Sequence, residues 1–330
     1  MKRYIYLLLT VCVISACTES FDGRAYEDIV LSAKVDAGIV SRNIVSKIYK
    51  GESVANMEAT VWFSTEKGIY PKNDSPVPST YLPYRANVKY AESGPTTIPI
   101  GNTENVLAYP VDDDPDTPEG VYCVGFYPQS GWDTEKLGDG TTDDKVAIHD
   151  INGSEDLMFA EQQYGTWENP FEVQTYYHLL TWVTIVARAT APDAIDSWGN
   201  IESLSIVSPH SKVRITLDKT IAGSAVEYIE GEADIPVINT STPLSVLATP
   251  LGDVLCAPAI SYQLEITTSN GGEKVLSIPL EDENGIALSN ENYAIGKQFI
   301  INLYFNSFNE INAMCSLIPW NEENIDLNGQ

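Results

Sequence analysis

An all-β protein, built as two β-sandwich domains in tandem, is the fold class that this 330-residue sequence predicts. Three observations lead there. Short apolar-alternating stretches recur between clusters of Gly, Pro, Asn and Asp, the spacing expected of sandwich strands and their turns. No stretch sustains a 3.6-residue apolar period with proper caps, so helices should be short and few. The length exceeds what one core usually organises and favours two domains of about 150 residues.

The first seventeen residues stand outside that fold. Lys2 and Arg3 precede an apolar run over residues 4–13, too short to span a bilayer, and Ile14-Ser15-Ala16-Cys17 closes it. Small residues before a cysteine mark a lipoprotein export signal, cut before Cys17, whose new N-terminus then carries acyl chains. No second apolar run approaches membrane-spanning length, so membrane contact is expected through the lipid alone. The net charge of −27 becomes more negative on cleavage, because the signal removes Lys2 and Arg3 and no acid. A surface that acidic argues against nucleic acid and anionic lipid as partners.

Residues 18–26 are polar and read as a tether leading into an N-terminal domain over 18–170. Ile29, Leu31, Ala33 and Val35 then alternate with Ser32 and Lys34, the pattern of a half-buried strand. Arg42 follows in Val40-Ser41-Arg42-Asn43. Val61-Trp62-Phe63 is a short apolar run, residues 71–83 with their prolines form an irregular loop, and residues 121–127 are strongly β-prone up to Pro128. Asp156-Leu157-Met158-Phe159-Ala160 is a further strand candidate. A C-terminal domain over 171–330 opens with the long stretch 171–191, free of Gly and Pro, which reads as one extended run. Val213, Ile215 and Leu217 alternate with polar neighbours, as do Tyr262, Leu264 and Ile266. Asn270-Gly271-Gly272 offers a hairpin turn to a strand carrying Leu276, Ile278 and Leu280. Residues 298–305 and 313–320 finish the chain as strands.

Chemical motifs are mostly negative. His149, His178 and His210 are scattered without metal-ligand spacing, and His178, in an apolar strand, reads as a packed and hydrogen-bonded histidine. The acidic runs 112–116 and 138–144 lack the spacing of a calcium loop and read as solvated loops. Cys123, Cys256 and Cys315 form no C-x-x-C pair and suit buried thiols on strands. No nucleophile elbow, phosphate loop or dinucleotide fingerprint occurs, so no enzyme, metal or cofactor is expected.

The order of these features resembles the fimbrillins of Bacteroidales. The resemblance rests on the lipobox at Cys17, an early strand before Ser41-Arg42, the segment 121–128, Asp156-Leu157-Met158-Phe159-Ala160, Tyr177-His178-Leu179-Leu180, Tyr293-Ala294-Ile295-Gly296-Lys297, and the closing strand to Trp320. It implies a type V pilus subunit of two transthyretin-like β-sandwich domains, carried to the outer membrane as a lipoprotein and serving adhesion. A trypsin-like arginine protease would cut it after Arg42, removing a first strand over about 27–42 that carries Ile29, Leu31, Ala33 and Val35. Arg24 is the runner-up, although cutting there leaves that strand in place. A strand of another subunit, of the same or a related fimbrillin, would fill the groove. The donor candidate lies in 311–327, with Ala313, Cys315, Leu317, Ile318 and Trp320; equally, 313–320 completes its own sandwich. A tip adhesin, an uncut anchor, or a surface glycan-binding lipoprotein using Trp132, Trp167 or Trp198 is the alternative.

Overall fold

The computed structural model describes residues 20–21, 24–25, 28–35, 57–68, 84–90, 95–98, 106–109, 120–136, 142–222, 224–238, 240–307 and 310–318. Its first strands are short: Ser20–Phe21 (β1) pairs with Arg24–Ala25 (β2), and Val30–Leu31 (β3) is separated from Ala33–Val35 (β4) by Ser32. Glu58–Ser64 (β5), Tyr84–Lys89 (β6), Thr96–Thr97 (β7), Val121–Tyr127 (β8), Asp133–Lys136 (β9), Thr142–Asp150 (β10), Met158–Gly165 (β11) and Gln174–His178 (β12) follow.

A six-stranded sheet runs β4-β12-β11-β8-β5-β6, antiparallel except where β4 lies parallel to β12. Both its faces are covered. Trp62, Val124, Phe126 and Phe159 enter one apolar cluster, while Val61, Phe63, Cys123 and Met158 enter another. Double-sided burial is why Val61-Trp62-Phe63 is continuously apolar rather than alternating.

The rest of the chain supplies Thr181–Ala189 (β13), the short helix Pro192–Trp198 (α1), Asn200–Ser208 (β14), Lys212–Thr216 (β15), Val226–Ile229 (β16), Ala233–Ile238 (β17), Thr242–Pro243 (β18), Thr249–Cys256 (β19), Ser261–Thr268 (β20) and Gly272–Pro279 (β21). A 3-10 turn at Glu291–Ala294 precedes Gln298–Phe305 (β22) and Ile311–Ile318 (β23). One sheet runs β19-β13-β22-β23, and another runs β17-β14-β20-β21 with β18 on β14. A further sheet, β16-β15-β10-β9, draws strands from both halves of the chain, β10 and β15 pairing from Val146 with Thr216 to Asp150 with Lys212.

The class is all-β, with helices short and few as predicted. The turn at 269–271 joins β20 to β21 with Thr268 opposite Gly272, and Gly271 is required there: a Cβ would stand 2.3 Å from the Trp198 ring. The stretch 171–191 differs from expectation. It forms two strands, β12 in the six-stranded sheet and β13 in another, divided at Leu179-Leu180. Both leucines are buried, and the backbone bonds Leu179 N–H to Leu157 O and Gly296 N–H to Leu180 O hold the chain as it passes between sheets. The break is made by tertiary contacts, so no Gly or Pro marks it.

Candidate functional site

The site is the N-terminal segment 28–35 and the core it closes. Its alternation is realised: Ile29, Leu31, Ala33 and Val35 are buried, Lys34 is exposed, and Val30 and Ser32 are half-buried. All four buried side chains join the second cluster with Met57, Val61, Phe63, Val88, Ile98, Leu107, Tyr109 and Met158.

The segment bonds to two walls at once. On one side Asp28 bridges Ala108, Ile29 N–H donates to Leu107 O at 2.7 Å, and β3 pairs antiparallel with β7. On the other, Gln174 N–H donates to Ser32 O at 2.8 Å, and β4 pairs with β12 from Ala33 beside Gln174 to Val35 beside Tyr176. It therefore works as a strap, tying residues 95–98 and 106–109 to the edge of the six-stranded sheet. Without it, β12 would be an edge strand with a row of unpaired backbone groups above an open apolar pocket.

Beneath the strap lies a polar cluster that sequence reasoning missed. Tyr90 Oη donates to Gln174 Oε1 at 2.6 Å, the Tyr90 and Tyr176 hydroxyls lie 3.0 Å apart, and Gln174 Nε2 sits 3.5 Å from Cys123 Sγ. Burial pushes the Tyr90 and Tyr176 hydroxyls and the Cys123 thiol well above their ordinary pKa values, so all three stay neutral. The only sequence signal is a glutamine at the same strand parity as Tyr176, and nothing local links it to Tyr90.

Cys17 and Arg42 lie outside the described residues, as does Trp320, while Arg24 lies in β2. The other donor candidates lie on β23, which pairs with β22 along its length, from Gln298 opposite Ile318 to Phe305 opposite Ile311. Ala313, Cys315 and Leu317 pack against the larger cluster, whereas Ile318 shares the parity of exposed Met314. In this structure β23 is thus the edge strand of its own sheet.

His178 is packed and hydrogen-bonded as expected: its Nδ1 lies 2.7 Å from Asp156 Oδ2, both side chains buried. Cys123, Cys256 and Cys315 are free, buried thiols on β8, β19 and β23. Among the candidate aromatics, Trp132 and Trp198 are core residues, and Trp198 donates from Nε1 to Asn306 O at 2.7 Å. Trp167 is 41% exposed, on the connection between β11 and β12 that also presents Val173, and Tyr164, 52% exposed, stands near the end of β11 just before it. Among the described residues, no three His, Cys, Asp or Glu side chains converge as a metal site, and no helix is long and apolar enough to cross a membrane.

Solved structures share this fold at low identity. The chain is similar to a proposed cell adhesion protein of Bacteroides uniformis, at 15% identity over 92% of this chain and 100% of that one, with a TM-score of 0.50. A proposed cell adhesion protein of Bacteroides ovatus matches at 14% over 91% and 100%, TM-score 0.51. A proposed adhesin of Bacteroides thetaiotaomicron matches at 9% over 88% and 96%, TM-score 0.51. No family model matches the sequence. No curated protein matches it.

Proposed function

We propose that this chain is a structural subunit of a type V pilus, a fimbrillin: lipid-anchored at Cys17, carried to the outer membrane, cut after Arg42, and polymerised on the cell surface by strand exchange to serve adhesion. The observation that carries the reading is the strap. One N-terminal segment, itself an edge strand, seals an entire apolar core with Ile29, Leu31, Ala33 and Val35. Its loss leaves backbone and apolar demands that a strand from another subunit meets by β-augmentation. Such a head-to-tail contact need not close into a ring, so it grows a filament. The names of the similar structures, cell adhesion proteins and adhesins of Bacteroides, agree with that role.

The experiment is limited trypsin digestion of the full chain and of Arg42→Gln, with oligomers resolved on a gel. Stable ladders from the wild type and none from Arg42→Gln are expected. Equal ladders from both would contradict processing at Arg42.

A second reading is favoured by exposed Tyr164 and Trp167, which suit stacking on a sugar ring. It makes the chain a tip adhesin or surface glycan-binding lipoprotein. Binding of the monomer to a glycan array, lost in Trp167→Ala, would support it.

A further inference from the structure

Resting on the strand-exchange reading, we propose that Tyr90, Gln174 and Tyr176 select which strand can occupy the groove: they admit one with Ala, Ser or Cys beside Gln174 and reject a larger side chain there. The register sets the position. Ala33 lies beside Gln174 and Val35 beside Tyr176, all four side chains buried on the same side of the sheet. Parallel neighbours on one face stand side by side, so the side chain at position 33 shares its space with the Gln174 amide.

That amide is not free to move. Its Oε1 accepts from Tyr90 Oη at 2.6 Å, Tyr90 and Tyr176 share a 3.0 Å hydroxyl contact, and its Nε2 reaches Cys123 Sγ at 3.5 Å. Tyr176 is pinned in turn, its hydroxyl oxygen 2.3 Å from where a Cβ on Gly125 would be. Accommodating a leucine at position 33 means breaking hydrogen bonds in a site that water does not reach, where an unpaired polar group is costly. Ile29 and Leu31 lie outside the register with β12, Leu31 standing opposite Thr96, and a change of apolar shape there is met by repacking within the cluster. The selection is therefore concentrated at one position of the occupying strand. In β23 the inward row contains two residues that satisfy it, Ala313 and Cys315, and two that do not, Ile311 and Leu317, so admission of that strand also depends on register.

The test uses the processed chain beginning at Asn43 and labelled peptides spanning residues 28–36. The native and Ala33→Ser peptides are expected to bind within about threefold of each other, and Ala33→Leu about tenfold more weakly or worse. The Gln174→Ala chain, with the space opened, should recover most of that loss. Equal binding of the native and Ala33→Leu peptides overturns the selection while leaving strand exchange standing, as does a loss that persists undiminished in Gln174→Ala. Failure of the native peptide itself to bind a folded processed chain overturns both. If the processed chain does not fold, the intact chain decides: Ala33→Leu should lower the unfolding temperature and adding Gln174→Ala should raise it again, whereas an additive fall contradicts the proposal.

Discussion

Leu31 shows what one strap residue contributes. It is fully buried, and truncating it to alanine removes apolar contacts and leaves a cavity, an expected loss of about 2–5 kcal/mol in chemical unfolding. Lys34 on the same segment is exposed, and Lys34→Ala should change stability by no more than about 0.5 kcal/mol. Burial also governs the response to alkali. Tyr90, Tyr176 and Tyr262 ionise only well above their ordinary values in the folded chain, and Cys315 is pushed up to about 12. The unfolded chain releases these protons earlier, so the stabilisation is complete below the ordinary thiol and phenol range and is lost as pH rises through the folded values. Denaturant midpoints should hold from neutrality to about pH 8 and fall steadily above it; a midpoint that rises with alkali would contradict this burial. At this scale the sequence was informative where parity sufficed. The inward row of 29–35, the buried cysteines and the packed His178 were all legible. The Tyr90–Gln174 contact was not, because it joins residues 84 positions apart with no shared periodicity. Trp132 and Trp198 likewise became core residues through partners that no local pattern names.

At the scale of elements, the strap is two very short strands serving two walls, and its removal should be felt unequally. Hydrogen exchange on the chain cut after Arg42, with the strap displaced, should speed up at Gln174, Thr96 and Thr97, whose backbone pairing involves residues 30–35. Amides of β13 and β22, paired with each other from Trp182 with Gln298 to Ala189 with Phe305, should keep their protection. Uniform acceleration would mean that the strap holds the whole molecule rather than one core. Strand existence was readable from alternation in β15, β20 and β21 and from the turn at 269–271. The division of 171–191 was not, since Leu179 and Leu180 continue the apolar run and only contacts with Leu157 and Gly296 end the strand.

At the scale of the molecule, the larger apolar cluster runs from Trp62 to Cys315, and the sheet β16-β15-β10-β9 takes strands from both sides of residue 170. Shared strands and a shared core imply that most of the chain unfolds together, so calorimetry on the full chain should show one dominant transition. Two well-separated transitions would contradict that coupling. The all-β class was legible from turn spacing and the lack of helical period; the pairing of β10 with β15 was not, because long-range strand order leaves no local trace. The central claim is that one removable segment seals a core that another subunit's strand can fill, and it is tested most directly by the N-terminal residue and intact mass of the protein recovered from its host's surface. A start at Asn43 in oligomeric material is the result expected. Acylated Cys17 retained in every copy, with the chain intact at Arg42, would contradict it.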